Sequence, residues 1–470
     1  MRLFLFLAAA VSASEPGFEL TIYNTDLALV KDRRDLTFPK GRSSLPWEGV
    51  AQTLDASSAS FTSPGAKMLE QNYRYDLVSR DVLLRKYLGR DVTLVQDAPT
   101  QDGKAMTTET VGRILSVEGE RITSLESKGK ILLDPPGRVV LPSLPEGLLV
   151  QPTLVLDLHS PQGGAFPAEL RYLCQGLSWH ADYIAVLDSL DKTMDLDGLV
   201  TLTNHSGTPF KEAKLKLVAG DVNLIPTNPR PVFAPRSAPM AKAGVGGSMD
   251  DEAPPPGFTE QGLMEYHLYS LGRPATLLDN EQKQISLLSA RGSTVRKRFV
   301  FDESDGSKYW WWNHEADTKD GRKLTVIVDV ENKEANHLGI ALPKGKIRVY
   351  KADGSGQLQF VGEDQIDHTP RDETIHLALG QAFELRGKRV VESSNTVRSE
   401  KTETVAVTLR NAKDEPVVAE VVEHQSWPTW KVSQSSLGYE KKDASTILFK
   451  VPVPARGEAT LRYTYWASWK

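Results

Sequence analysis

The chain has 470 residues, 40% of them hydrophobic, with 56 Lys and Arg against 61 Asp and Glu for a formal net charge of -5. That length exceeds what one hydrophobic core serves and sets a prior of about three domains. The small net charge supplies no basic field for nucleic acid, and a single cysteine, Cys174, excludes an intrachain disulfide framework.

At the start, Met1-Arg2 is a short positive region, Leu3 to Val11 an apolar run, and Val11-Ser12-Ala13 a small-residue cleavage site. Together they predict a signal peptide over 1–13 and export to the periplasm, the cell envelope or the medium. The run is far shorter than the ~20 residues of a membrane-spanning helix, so no transmembrane segment is expected. No cysteine follows the cleavage site, which argues against a lipid anchor.

Over 17–78 short strands at Phe18 to Tyr23, Ala28 to Leu36, Gly41 to Trp47 and Ser57 to Phe61 alternate with turn residues, the pattern of a small β-sandwich. Leu69, Gln71, Tyr73, Tyr75 and Leu77 then share one strand parity. Ser79 is placed as an N-cap, Val82, Leu83, Leu84, Tyr87 and Leu88 lie at helical spacing, and Gly89 is the stop. Five short strands follow between Asp91 and Leu141. So compact a set needs its edges closed, and a small SH3-like barrel over 79–150 is the economical solution.

The central β domain spans 151–303, and parity carries the most information in it. Leu177, Trp179, Ala181, Tyr183, Ala185 and Leu187 share one parity, while Leu170, Tyr172 and Cys174 fall on the other. One extra residue must be absorbed between them, and Gly176 is the predicted bulge in one long strand. Trp179 goes to the core, His180 to solvent, and Ile184 and Val186 make the far end apolar on both sides. Cys174 has the parity of a small buried hydrophobe rather than a reactive thiol. The Pro-, Gly- and Ala-rich stretch 226–262 reads as a disordered loop.

Val200 to Asn204, Val326 to Asn332 and Val405 to Asn411 form a weak internal repeat, each copy an alternating strand that ends in Asn at a turn. They predict a β-sandwich module over 304–395 and an Ig-like sandwich over 396–470. The fold class expected is therefore mostly β: several antiparallel Ig-like sandwich modules, the small barrel and one short helix.

The segments GLSWHADYIAVLD, LTNHSGTPFKEAKLKLVAGDVN, YHLYSLGRPATLLDNEQKQISLL, the long run from Asn336 to Leu385 and VPVPARGEATLRYTYW resemble, in that order, the uncharacterised β-rich domain of bacterial mucoidy-inhibitor-type proteins. The resemblance covers roughly Pro152 to Trp469. It implies an exported bacterial envelope protein and supplies no catalytic residues. The first third departs from that pattern, having no coiled-coil heptads.

Asp188, Asp191, Asp195 and Asp197 faintly suggest calcium, but the spacing and the closing Glu of a calcium loop are missing, and a solvated hairpin tip fits better. His314, Glu315, Asp317 and Asp320 form a second cluster, and His337, His368 and His376 suit surface or cross-strand positions. Neither a G-x-S-x-G elbow nor a phosphate loop is present; AGVGG at Ala243 to Gly247 has no following Lys-Ser/Thr. Tyr309-Trp310-Trp311-Trp312 is the sharper candidate, because adjacent strand residues face opposite ways and one indole must leave the core. Trp310, Trp311 and Trp312 are thus the candidate partner contact, with an envelope protein or polysaccharide as partner, and no catalytic residue, metal site or cofactor is assigned. The alternative is a metal-assisted hydrolase of cell-wall or capsule polysaccharide using Asp188 to Asp197 or His314 with Asp317.

Overall fold

The computed structural model describes residues 16–74, 79–99, 105–143, 145, 151–220, 222–223, 258–302 and 321–469. Tertiary contacts divide the chain into two compact units of three segments each. The first comprises Met1–Ser178, Thr203–Lys216 and Arg273–Gln282; the second comprises Trp179–Leu202, Leu217–Gly272 and Lys283–Lys470. The signal-peptide stretch, AGVGG and Trp310 to Trp312 lie outside the described residues.

The chain is β-rich throughout. It opens with β1 (Gly17–Tyr23), β2 (Ala28–Phe38) and β3 (Gly41–Glu48), then a 3-10 turn at Ala56–Ser58 where the sequence suggested the start of a strand. β4 (Ser60–Thr62) and β5 (Lys67–Arg74) follow, and helix α1 (Arg80–Lys86) begins at the predicted cap, with the Val82 amide donating to Ser79 Oγ at 3.3 Å. Next come β6 (Asp91–Pro99), β7 (Ala105–Glu118), β8 (Arg121–Ser127), β9 (Lys130–Leu133) and β10 (Arg138–Val140), then β11 (Thr153–Ser160) and β12 (Gly164–Cys174). In the first unit β1, β2, β12 and β4 lie side by side and antiparallel, and β3, β11 and β5 form a second sheet. Buried Trp47 of β3 donates its indole N–H to Asp32 of β2 at 2.7 Å, so a polar contact crosses the apolar layer between the two sheets.

The five strands after the helix exist, but they do not close. Their order is β10-β6-β7-β8-β9, an open sheet, and the SH3-like barrel is corrected accordingly. The helix supplies the reason. Leu84 and Tyr87 pack on Val92, Leu94, Ile114, Ile122 and Leu125, so one face is covered without the edges meeting.

Parity across Gly176 holds. In β12 Ala168, Leu170, Tyr172 and Cys174 are buried, and in β13 (Leu177–Leu187) the buried set is Leu177, Trp179, Ala181, Tyr183, Ala185 and Leu187. The break is a bend between two strands rather than a bulge in one, and β12 and β13 belong to different sheets. Gly176 has φ +82°, and a Cβ there would meet the His205 carbonyl oxygen at 2.6 Å, so only glycine fits. The far end of β13 is not fully buried on both sides: Ile184 is exposed and Val186 half-buried. Cys174 is buried, and burial pushes its thiol up to about 12.

Beyond β13 run β14 (Thr193–Asn204), β15 (Phe210–Ala219), β16 (Phe258–Leu263), β17 (Tyr266–Leu271), β18 (Ala275–Leu277) and β19 (Glu281–Asp302). The expected disordered loop therefore ends early. Its last residues form β16, zipped to β17 as a hairpin, while most of the Pro-rich stretch lies outside the described residues. The remaining strands are β20 (Arg322–Glu331), β21 (Gly345–Ala352), β22 (Leu358–Ile366), β23 (Thr374–Val397), β24 (Glu400–Asn411), β25 (Val417–His424), β26 (Thr429–Ser435), β27 (Tyr439–Lys441), β28 (Thr446–Val453) and β29 (Gly457–Ser468). One large sheet runs β22-β21-β13-β14-β19-β20-β23-β24-β29-β26. β25 pairs in parallel with β19 and carries β28, and the core between these layers holds Val405, Val407, Leu409, Val421, Phe449 and Tyr463.

The weak repeat has a physical basis. Asn204, Asn332 and Asn411 are all fully buried. Asn204 Nδ2 donates to the carbonyls of Thr208 at 2.9 Å and Leu278 at 3.1 Å, and its Oδ1 accepts from the Ser206 amide at 3.0 Å. Asn411 does the same with Glu415 at 2.8 Å, Pro454 at 3.0 Å and the Lys413 amide at 2.9 Å. Asn332 matches them with Ile340 at 2.7 Å, Pro370 at 2.8 Å and the Gly339 amide at 2.9 Å, around a longer loop. Two residues past each distant acceptor stands a left-handed residue: Asn280 at φ 58°, Asp372 at φ 65° and Arg456 at φ 49°.

Replacing Asn332 or Asn411 with Ala removes three hydrogen bonds to backbone groups of a part-buried corner, a loss of about 2–4 kcal/mol. Thermal denaturation of each variant should show a clearly lower midpoint, and an unchanged midpoint would mean that the corner is not holding the repeat.

Candidate functional site

A network of buried and half-buried charges in the second unit lies on β19, β20 and β23. The register places Arg296 opposite Asp329, and Asp329 opposite His376, so three polar side chains form one cross-strand row. Arg298, two residues further along β19, shares that face. Asp329 interrupts the apolar run Val326-Ile327-Val328-Asp329-Val330, and its side chain is only 5% exposed. An isolated carboxylate there would be very costly.

Its charge is matched from three sides. Arg298 holds it in a fork, Nε to Oδ2 at 2.7 Å and Nη2 to Oδ1 at 2.9 Å; Arg296 Nη2 reaches Oδ2 at 2.8 Å and His376 Nδ1 reaches Oδ1 at 2.7 Å. Arg298 also donates Nη1 to the buried Glu420 of β25 at 2.6 Å. Burial opposes ionisation of Asp329, but the hydrogen bonds from His376, Arg298 and Arg296 outweigh it and hold the carboxyl far below its usual range. Asp329 is accordingly neither a proton donor near neutral pH nor a free base. It orients His376, whose ring remains half exposed.

The row opens on a cleft of about 520 Å³ lined by Thr294, Arg296, Asp329, Glu331, Lys333, Asn336 and Thr374. Lys333 pairs with Glu331 at 3.1 Å, and Asn336 is spent on the backbone of Thr294 and Glu331. Charges at the mouth therefore come in pairs. The arrangement clamps β19, β20, β23 and β25 together, and the outer side of Arg296 and the His376 ring stay open to solvent.

The acidic group of the β13–β14 hairpin does not converge. Asp188 Oδ1 caps the turn, accepting from the Lys192 amide at 2.7 Å and the Thr193 amide at 3.0 Å. Asp191 pairs with Lys297 and Lys351, Asp195 accepts from the Gly292 amide at 2.8 Å, and Asp197 pairs with Arg291 at 2.8 Å. Among the described residues no set of three or more His, Cys, Asp or Glu gathers as metal ligands, and no helix is long and apolar enough to cross a membrane. His337 ends a 3-10 turn in the left-handed region, His368 accepts from the Lys344 amide, and His314, Glu315, Asp317 and Asp320 lie outside the described residues.

Sequence reasoning placed His376 as a cross-strand histidine but missed Arg296, Arg298, Asp329 and Glu420. A carboxylate flanked by Val328 and Val330 was the available signal, since a carboxylate buried there requires a cation. No protein-family model, curated protein or solved structure matches this chain.

Asp329→Asn removes the charge that both guanidiniums face and should cost about 3–5 kcal/mol, read as a lower midpoint in denaturant. The acid dependence follows from the depressed carboxyls. In the first unit burial disfavours charge on Glu19, but hydrogen bonds from Lys216 and Lys31 prevail and bring it to about 2. A carboxyl lowered on folding contributes stability that is complete above its unfolded value of about 4 and is lost as pH falls through the folded value. Stability should therefore decline from about pH 4 toward pH 2, and Glu19→Gln should flatten part of that decline; an unaltered slope in the variant would contradict it.

Proposed function

We propose that this chain is an exported bacterial cell-envelope protein without catalytic activity, a multi-module β scaffold that binds a protein or polysaccharide partner. The resemblance of its ordered motifs to the β-rich domain of mucoidy-inhibitor-type proteins motivates the export and the location. The observation that carries the scaffold reading is how the charged groups are used: Asp329, Glu420 and the hairpin aspartates are each engaged by a cation or a backbone amide that joins strands. A hydrolytic centre needs a carboxylate or imidazole poised to exchange protons with substrate, and nothing in the geometry of Asp188 to Asp197 favours that alternative. The Trp310 to Trp312 run supplies the partner contact in this reading, since large rigid aromatics dominate binding surfaces.

Two experiments test it. Expression from the native start followed by envelope fractionation should yield a chain shortened after Ala13 outside the cytoplasm; a full-length cytoplasmic product would overturn export. Purified mature chain used as bait on solubilised envelope and on isolated envelope polysaccharide should capture a partner, and Trp311→Ala should weaken that capture about ten-fold or more. Equal capture by the variant would remove the tryptophan run from the site.

A further inference from the structure

The strands that carry the Asp329 row hold a second, smaller pocket on their opposite face, wholly within the second unit. It measures about 230 Å³. Leu187, Val326, Val328, Val361 and Leu379 make an apolar wall, and Lys297, Lys351 and Asp191 stand at it. The parity of β19 and β20 explains the separation: Lys297 and Val328 point away from the face that bears Arg296 and Asp329.

The charge at this pocket is unbalanced. Asp191 binds Lys297 Nζ at 2.8 Å and also Lys351 Nζ, so two ammonium groups share one carboxylate and one positive charge is left over. Among the described residues no other carboxylate pairs with either lysine. All three side chains are largely covered, at 18% exposure for Asp191, 32% for Lys297 and 28% for Lys351, so their geometry is defined and their charge is only partly screened. Each ammonium has three donors, and one suffices for Asp191. The hairpin tip fixes Asp191 in the left-handed region at φ 56°.

We propose that this pocket binds a small apolar carboxylate: an aryl or short acyl group against the valine and leucine wall, with its single negative charge between Lys297 and Lys351. The volume suits that class, because a dry apolar cavity of about 150 Å³ already admits benzene. A ligand with an apolar body and a few placed polar contacts is what such a recess selects. This site does not depend on the scaffold reading or on the tryptophan run.

Isothermal titration of the full-length mature protein with octanoate and with 3-phenylpropanoate tests it and separates an acyl from an aryl occupant. At least one acid should bind, and octan-1-ol and octylammonium should bind about ten-fold more weakly or not at all. Lys351→Gln should weaken the acid about ten-fold while leaving octan-1-ol unchanged, and Asp191→Asn, which frees both ammonium groups, should tighten it several-fold. Val361→Trp fills the pocket from its exposed rim without disturbing the core and should abolish binding. Failure of both acids to bind, equal affinity for acid and alcohol, weaker binding by Asp191→Asn, or unchanged binding in Val361→Trp would each overturn the proposal.

Discussion

A strand that ends inside a protein must still satisfy its backbone, and in this chain one side chain does that work three times. The amide of asparagine offers two donors and an acceptor in a fixed plane, so a single buried residue serves the turn that follows it and a distant turn at once. Asn204, Asn332 and Asn411 each close such a corner, and each ties the end of one strand to the start of its antiparallel neighbour. The left-handed residues at Asn280, Asp372 and Arg456 bring the distant carbonyls into reach. Successive pairs then join edge to edge, because β19 bonds to β20 and β23 to β24.

The same sheet separates two kinds of chemistry by parity alone. On one face Arg296, Asp329, His376 and Arg298 form a saturated network that runs on to Glu420 of β25. On the other, Val326 and Val328 build an apolar recess with lysines at it. The first face is a fastener, since its charges are matched and its carboxylate is fully engaged. The second keeps an unmatched positive charge beside an apolar surface, the combination that suits recognition.

Local patterns fixed much of this in advance. Alternation alone named every buried residue of β13, and the Ser79 cap with the Gly89 stop bracketed the helix within one turn. Repetition of a strand closing on Asn located all three corners, although not their bonding. What failed depended on distance along the chain. The five strands after α1 were read as a barrel because nothing local says that a helix will lie over them. Arg298 and Glu420 are 122 residues apart and Arg298 and Asp329 are 31 apart, so no window of sequence presents them as partners. Apolar residues on both parities suggest two covered faces for β13, yet Ile184 is exposed and Val186 only half-buried.

Two parallel pairings impose an order on assembly. β13 aligns Ala181 with Gly345, and β19 aligns Phe299 with Ala419, so strands made early find their neighbours only after long stretches of chain have been added. The antiparallel hairpins between them can zip locally. The sheet edges at β13 and β19 cannot close until residues 345 and 419 have arrived, and contacts of such high sequence separation are slow to form. During synthesis those two strands wait with open backbone edges, which makes them the places where a second, unfolded chain competes for pairing.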